Sequence, residues 1–438
     1  MSLKETLLKS FEKFESSLNG QKKLPVHAVR KEAIAAFDKQ GIPGTKHEEY
    51  KYTQVGKTLE KTFDFTKAPA SPEITAKDVD HYLIPELEAN KLVFVNGVFS
   101  HELSEIISPE NEIIIKDLAT AFEEDQELIN QYFSKQAKVE KDAFVALNTA
   151  FSHHGSFIHV PKNAVVQKPV ALYFINDASQ DQSFNNPRNL FLAGENAEVT
   201  FLEDFNTSGE HESLNNIVTE IYVGANARVD YYKLQNNRDT AYHIGTTQVY
   251  QQRSSRFSAY TFTLNGAMIR NNLNIVVDAE GCESNLYGLY LLNGNTHVDN
   301  HTSVDHKEPN CLSNELYKGI LDDKSHGVFN GKVFVRQVAQ KTNAFQSNNN
   351  ILLSDNAIMN SKPQLEIWAD DVQCSHGCTT GQLDNEGLFY LRTRGLSEES
   401  ARAMMLYAFA VEVVSKVKLP ALKDFLEELI SERLQKDF

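Results

Sequence analysis

NAEVTFLEDF, residues 196–205, is the first of five similar stretches in this sequence; the others are NARVDYYKLQ (226–235), SSRFSAYTFT (254–263), GCESNLYGLY (281–290) and NCLSNELYKG (310–319). Each stretch begins with a turn residue and a small residue and continues with alternating apolar and polar positions. The small residues lie 30, 28, 27 and 29 positions apart, and they are Ala197, Ala227, Ser255, Cys282 and Cys311.

Alternation with period 2 predicts β-strands, and a nearly constant spacing predicts strands stacked as the coils of a β-solenoid. Sandwiches and jelly rolls can also carry irregular repeats, but the even spacing favours the solenoid. Cys282 and Cys311 occupy a position that is otherwise filled by Ala or Ser. We therefore expect both thiols to be buried packing groups.

The sequence before the repeats predicts a mainly helical N-terminal region, residues 1–150. Apolar residues recur at helical spacing from Leu3 to Leu18 and again from Val26 to Phe37, and the two stripes end at Gly20 and Gly41. LVFVNGVFS (92–100) predicts a type I′ hairpin at Asn96 and Gly97. A strand in NEIIIKDL (111–118) and helical sequence over 120–147 complete the region, and residues 151–390 form the predicted β-helix core.

Residues 391–438 predict a C-terminal helical segment. Ser397 is a good N-cap for the apolar stretch ARAMMLYAFAVEVVSKV (401–417), and a second amphipathic helix follows Pro420. This segment is too small to bury the apolar surface of both helices by itself. The helices either cover the β unit or bind a partner protein, and the candidate docking residues are Met405, Phe409 and Leu426.

Composition excludes several functional classes. A net charge of -16 and a pI near 5.4 disfavour nucleic acid and anionic membranes as partners. No stretch is apolar enough to span a bilayer and no secretory signal is recognisable, so we expect a cytoplasmic protein. Four cysteines are too few for a disulfide scaffold in 438 residues.

Two of the four cysteines and a histidine lie close together near the C-terminus. In LEIWADDVQCSHG (365–377), read as one strand, Cys374, His376 and Cys378 project from the same face, about 6.6 Å apart. One ion cannot easily bridge ligands at that spacing, because zinc bonds to sulfur and nitrogen are about 2.0 to 2.3 Å long. The row is either part of a core or a partial site of soft ligands for iron, zinc or copper.

A second set of candidate ligands lies in HVDNHTSVDH, which contains His297, His301 and His306. These histidines could form a metal centre, but no further ligand completes such a pattern, and hydrogen-bonded solenoid turns are the favoured interpretation. The sequence contains no G-x-S-x-G, phosphate-binding loop or dinucleotide fingerprint.

Several longer motifs carry a family resemblance. PQLEIWADDVQCSHGCTTGQLDNEGLFYLRTRGLSEESARAMM (363–405), together with LVFVNGVFS, HEEYKYT (47–53) and FVALNTAFSHHGSFIHVPKNAVVQKPV (144–170), resembles the SufB/SufD family of iron-sulfur cluster assembly scaffold proteins. Within that family the chain is similar to the SufD branch. Asn348 stands where SufB-like chains have a cysteine, and Cys378 stands where the family usually has alanine.

The resemblance implies a mainly β fold with a right-handed parallel β-helix core between an N-terminal helical region and a C-terminal helical segment. It implies a non-catalytic subunit of a SufB-SufC-SufD complex, whose C-terminal segment docks the ATPase SufC. Cys374 and His376 match the SufD pattern, in which the histidine is implicated in forming a transient iron-sulfur cluster shared with SufB. The isolated chain could also form a homodimer through its solenoid edge.

The competing class is a stand-alone enzyme. A metal-dependent hydrolase or lyase on a β-solenoid would use His297, His301 and His306, and a thiol enzyme would use Cys374 with His376. Turnover by the purified chain without partners distinguishes an enzyme from a scaffold.

Overall fold

The computed structural model describes residues 2–67 and 72–436, and two ten-stranded sheets dominate this part of the chain. The strands are β1 (Asn90–Val95), β2 (Val98–Glu105), β3 (Ile114–Asp117), β4 (Gly155–Val160), β5 (Val170–Ala178), β6 (Ser183–Asn185), β7 (Arg188–Ala193), β8 (Glu198–Gly209), β9 (Ser213–Val223), β10 (Arg228–Asn236), β11 (Ala241–Gln251), β12 (Arg256–Asn265), β13 (Met268–Val277), β14 (Glu283–Leu292), β15 (His297–His306), β16 (Leu312–Leu321), β17 (His326–Val335), β18 (Asn343–Leu352), β19 (Ile358–Ile367) and β20 (Gln373–Gly381). The α-helices are α1 (Leu3–Ser17), α2 (Val26–Gln40), α3 (Val55–Thr62), α4 (Ala76–Asp80), α5 (Leu118–Glu124), α6 (Gln126–Tyr132), α7 (Ala143–Ala150), α8 (Asn385–Thr393), α9 (Glu398–Val414) and α10 (Pro420–Lys436).

The strands wind into a parallel β-solenoid of about eight turns, which confirms the predicted fold class. The first sheet runs β2-β1-β5-β8-β10-β12-β14-β16-β18-β20, and the second runs β19-β17-β15-β13-β11-β9-β7-β4-β3. From β8 onward the chain alternates between the two sheets, so each coil adds one strand to each sheet. Successive coils pair in parallel register, as Tyr232 pairs with Leu202 on one side and Tyr260 on the other.

The corners explain the repeat that the sequence displays. The turn residue at the start of each repeat has a positive φ, between 55° and 76°, in Asn196, Asn226, Ser254, Gly281 and Asn310. Asparagine and glycine adopt this left-handed conformation at low cost. The small residue that follows is buried in every repeat, because it lies inside the corner where the coil reverses.

Helices cover the outer faces of both sheets. Leu7, Phe37 and Leu59 of the N-terminal helices pack with Leu214 and other apolar side chains of the second sheet. On the first sheet, α9 and α10 bury Leu406, Leu422, Leu426, Ile430 and other apolar side chains. Covering the β unit is therefore one role of the C-terminal helices.

The β1–β2 hairpin agrees with the sequence prediction, whereas the strand predicted near the C-terminus does not. The hairpin of β1 and β2 turns at Asn96 and Gly97, whose φ angles of 48° and 77° are the two positive values that a type I′ turn requires. The continuous strand predicted over 365–377 is wrong, because a corner at 368–372 separates β19 from β20. These two strands belong to different sheets.

Candidate functional site

The last strand of the first sheet carries the Cys-x-His-x-Cys motif. β20 pairs with β18 in parallel, so that Cys374 lies beside Ala344, His376 beside Gln346 and Cys378 beside Asn348. Among the described strands, β18 is its only partner in the sheet. The three side chains alternate with their neighbours and therefore share one face of the strand.

The corresponding face of β18, in the preceding coil, points into the solenoid interior, whereas in β20 this face is exposed. Ala344, Gln346 and Asn348 are all buried, whereas Cys374 is half-buried and His376 and Cys378 are exposed. The reason is that the solenoid stops here: β19 is the last strand of the second sheet in the described part of the chain. Positions that would belong to the core in a longer solenoid are open to a partner or ligand.

The three residues do not form a complete metal site. Same-face positions on a strand are about 6.6 Å apart, too far for one ion to bind all three. No group of three or more His, Cys, Asp or Glu side chains within 2–67 and 72–436 is arranged to hold an ion. Burial raises the pKa of the Cys374 thiol, which favours the neutral thiol in the isolated chain.

A hydrogen-bonded polar layer supports this edge from inside the solenoid. The Gln346 Nε2 atom donates to Glu315 Oε2 at 2.7 Å, one coil further in. Asn348 Nδ2 donates to the Tyr290 hydroxyl at 3.0 Å, and Ser361 Oγ donates to Asn348 Oδ1 at 2.9 Å. The floor beneath His376 and Cys378 is thus held by buried polar groups rather than by apolar packing.

The histidines of HVDNHTSVDH do not converge. All three lie in β15, a strand and not a turn, and the alternation of the strand separates them. His306 points into the interior, where its Nε2 atom forms a 2.9 Å hydrogen bond with Ser313 Oγ. His297 and His301 lie on the outer face. A site made by His297, His301 and His306 together is therefore not formed.

The outward histidines instead anchor the HEEYKYT segment, residues 47–53, which we call the strap. The Thr53 hydroxyl donates to Asp299 Oδ2 at 2.5 Å and lies 2.9 Å from His297 Nε2. His301 is placed between Asp299 and Glu49, at 2.8 and 3.2 Å. The hydrogen bond from His301 lowers the pKa of Glu49 to about 2.

Buried charges complete the attachment of the strap. The Arg270 Nη1 atom donates to Asp299 Oδ2 at 2.5 Å and to the backbone carbonyl of Glu49 at 2.7 Å. The Arg270 guanidinium also lies 4.0 Å from the centroid of the Tyr50 ring. Burial opposes ionisation of Asp299, but Arg270 together with His301 and Thr53 outweighs it and holds the pKa of that carboxyl below its usual range. This cluster is a structural clamp.

Comparisons with known proteins cover nearly the whole chain. Residues 174–409 match the family profile described as SUF system FeS cluster assembly, SufBD core domain. Residues 1–172 match the profile described as SufBD protein N-terminal region. The chain belongs to the SufBD family.

Relatives named for iron-sulfur cluster assembly align with most of this chain. A SufBD family protein of Synechocystis sp., named for iron-sulfur cluster assembly, is 32% identical over 89% of this chain and 87% of its own length. The iron-sulfur cluster assembly protein SufD of Escherichia coli is 30% identical over 90% of both chains. SufD of Bacillus subtilis is 26% identical over 74% of both chains. The resemblance deduced from motifs is thereby confirmed.

In this SufBD family member the three candidate docking residues differ in accessibility. Leu426 lies on the inner face of α10 and is fully buried, so it is not available to a docking surface. Met405 and Phe409 are half-buried. The Lys318 Nζ atom lies 4.2 Å from the centroid of the Phe409 ring and donates to the Phe409 carbonyl oxygen at 3.1 Å, which ties this residue to the solenoid.

A more exposed apolar surface lies on α8, a helix that the sequence analysis did not predict. Phe389 and Tyr390 are 69% and 56% exposed, and Met404 on the neighbouring α9 is 56% exposed. Two sequence features could have predicted this helix: Asp384 as its N-cap and the short apolar run that follows. In the structure Asp384 accepts a hydrogen bond from the Glu386 backbone N–H at 3.0 Å. Within residues 2–67 and 72–436, no helix has the length and apolar character needed to span a bilayer.

Proposed function

We propose that this SufBD family member is a SufD-like scaffold subunit that helps to form an iron-sulfur cluster at an interface with a SufB-like subunit. The carrying observation is that Cys374 and His376 lie on the exposed end strand of the solenoid. The cluster is transient cargo and not a resident cofactor. Catalysis of ATP hydrolysis is assigned to a SufC-type partner, and the proposed location is the cytoplasm.

The geometry supports a shared site. The Cys374 thiol and the His376 imidazole lie on one strand face and can both bind iron. Their spacing is too wide for one iron ion to bind both, so this chain alone does not supply a complete set of ligands. β20 also presents unpaired backbone groups along its free edge, which a strand of a second protein can satisfy. A SufB-like partner seated here would supply the missing ligands. In its absence the same edge would allow a homodimer.

Iron and sulfide analysis of the anaerobically co-purified three-protein complex tests this proposal. We expect His376→Ala to fold, to bind both partners and to accumulate little iron or sulfide. Cys378→Ala is the matched control from the same strand face, and it should retain most of its iron because the family pattern has alanine there. If the His376→Ala complex kept its full iron content and the Cys378→Ala complex lost iron, Cys374 and Cys378 would be the residues that support cluster assembly.

We also propose that the ATPase partner docks on the surface formed by α8 and the exposed side of α9. Phe389, Tyr390 and Met404 are large apolar side chains in water, and such residues commonly anchor interfaces. Phe409 is a poorer probe, because an aspartate there would also disturb its contact with Lys318 and the sheet beneath.

Phe389→Asp is accordingly the docking test, and Ile106→Asp, at another exposed apolar position, is the matched control. We expect Phe389→Asp to lose the ATPase on co-purification while its β-rich circular dichroism spectrum is unchanged. Ile106→Asp should retain the ATPase. Equal retention by both variants would refute this docking surface.

The competing proposal is an enzyme that acts alone. Cys374 and His376 share a strand face that is open to solvent, whereas His297 and His301 are held by the strap and His306 is buried in the interior. Turnover of an ester, amide or other hydrolysable substrate by the isolated chain, lost in Cys374→Ala, would favour the enzyme over the scaffold.

A further inference from the structure

Cys282 and Cys311 are stacked on each other at one corner of the solenoid. Each precedes the first residue of a strand, β14 and β16, and these strands are neighbours in the first sheet. The backbone N–H of Leu312 donates to the Cys282 carbonyl oxygen at 2.9 Å. Adjacent strands lie about 4.8 Å apart, which falls within the separation of α-carbons that a disulfide accepts, about 4.4 to 6.8 Å.

The two thiols also point toward the same place. Cys282 Sγ donates to the carbonyl oxygen of Ala279 at 3.2 Å, and Cys311 Sγ reaches the same oxygen at 3.3 Å. Interaction with the Cys311 thiol lowers the pKa of Cys282, and the same interaction raises the pKa of Cys311. The Ser255 hydroxyl also donates to Cys282 Sγ at 3.8 Å, which stabilises the thiolate at Cys282 and makes it the better nucleophile of the pair.

Packing alone does not require sulfur at these positions. The equivalent corner residues of the preceding coils are alanine or serine, and they are equally well buried. Cys282 and Cys311 are 1% and 2% exposed, yet the layer above them is thin. Glu280 and Gly281 directly before Cys282 are exposed, as is Asn310 directly before Cys311. Opening of a single turn brings solvent to the sulfur atoms.

We propose that Cys282 and Cys311 form a redox-active dithiol that closes into an intrachain disulfide when it reacts with a hydroperoxide. The Cys282 thiolate attacks one peroxide oxygen, the O–O bond breaks, and a sulfenic acid forms at Cys282 with release of water or an alcohol. The Cys311 thiol then attacks that sulfur, the S–O bond breaks, and the sulfenic hydroxyl leaves as water with the Cys311 proton. Two thiols are oxidised and one hydroperoxide is reduced.

The disulfide would join two consecutive coils at their corner. Such a link constrains the unfolded chain and so favours the folded state. The thiol pair is distinct from the candidate cluster-assembly residues, because Cys282 and Cys311 are buried at the corner before β14 and β16, whereas Cys374 and His376 lie on the end strand β20, two strands beyond β16.

The test uses the full chain carrying Cys374→Ser and Cys378→Ser, which leaves the buried pair as its only thiols. The protein is treated with hydrogen peroxide, denatured, alkylated and digested for mass spectrometry. We expect a peptide containing Cys282 joined to one containing Cys311, with a mass two hydrogen atoms below the sum. The urea midpoint should rise on oxidation and return after dithiothreitol.

Matched controls are Cys282→Ala and Cys311→Ala in the same background, since alanine fills this corner in two other coils. Neither should show the shift in urea midpoint. The proposal is overturned if both cysteines are recovered alkylated separately after peroxide treatment. It is equally overturned if Cys282 is recovered as a sulfinic acid while Cys311 remains a free thiol.

Discussion

Glu315 should make the stability of this protein depend on pH. Its carboxyl lies inside the solenoid beneath the His376 edge, where Gln346 satisfies one oxygen and the other has no hydrogen-bond partner among the described residues. Burial raises the pKa of Glu315 from its ordinary value of 4.5 to about 7. Ionising this group therefore costs about 3 kcal/mol more in the folded protein than in the unfolded chain.

The direction of the effect follows from proton binding. Below about pH 4.5 both states hold the proton, and Glu315 adds no pH dependence. Between pH 4.5 and 7 the unfolded chain releases the proton while the folded protein keeps it, so the free energy of unfolding falls as the pH rises. Above about pH 7 the loss is complete, at about 3 kcal/mol.

Glu315→Gln removes this ionisation without changing the volume of the side chain. We expect the urea midpoint of the variant to match the wild type at pH 5 and to exceed it at pH 8. Asp204 is a second buried carboxyl with a pKa of about 7, so part of the wild-type slope remains in the variant. Glu308→Gln, at an exposed position, is the control. Parallel midpoints of wild type and Glu315→Gln from pH 5 to 8 would refute the reasoning.

Three further substitutions probe other parts of the fold by urea denaturation. Gly288→Ala should lose about 1 to 3 kcal/mol, because a Cβ there would lie 2.2 Å from the Tyr317 ring in the interior, and a smaller residue in place of Tyr317 should restore stability. Arg270→Met should cost about 3 to 5 kcal/mol, because the buried Asp299 carboxylate loses its guanidinium partner and keeps only Thr53 and His301, and adding Asp299→Asn should recover part of it. Ser397→Ala should cost about 1 kcal/mol through loss of the cap on α9, whereas Ser397→Asp should not. An unchanged midpoint in any of the three alanine or methionine variants would contradict the corresponding contact.

The solenoid was predictable because its corners are made by local chemistry. A left-handed turn residue and a small buried residue recur in sequence at the corners that precede β8, β10, β12, β14 and β16. The corner before β20 was missed because no residue of 368–372 has a positive φ, so it lacks the usual asparagine or glycine. Val372 nevertheless precedes β20 as Cys311 precedes β16, and extending the repeat would have located it.

The candidate site was only partly predictable. Period-2 alternation correctly places Cys374, His376 and Cys378 on one strand face. Their exposure, however, depends on β20 being the end strand of the sheet. The alternation within one strand does not show whether another coil packs against it. For the histidines of β15 the same alternation would have separated His306 from His297 and His301, had the segment been assigned to a strand.

The strap has a consequence for the order in which the chain can fold. Thr53 reaches a partner 246 positions later, and Glu48 pairs with Lys362, 314 positions later. Contacts of such sequence separation form slowly, because a long loop must close first. During synthesis the strap therefore emerges before its partners in β15 and β19 have been made. It is fully attached only after β19 has left the ribosome. A nascent chain that stops before Lys362 would lack this ion pair, so complete attachment of the strap requires every strand of the solenoid up to β19.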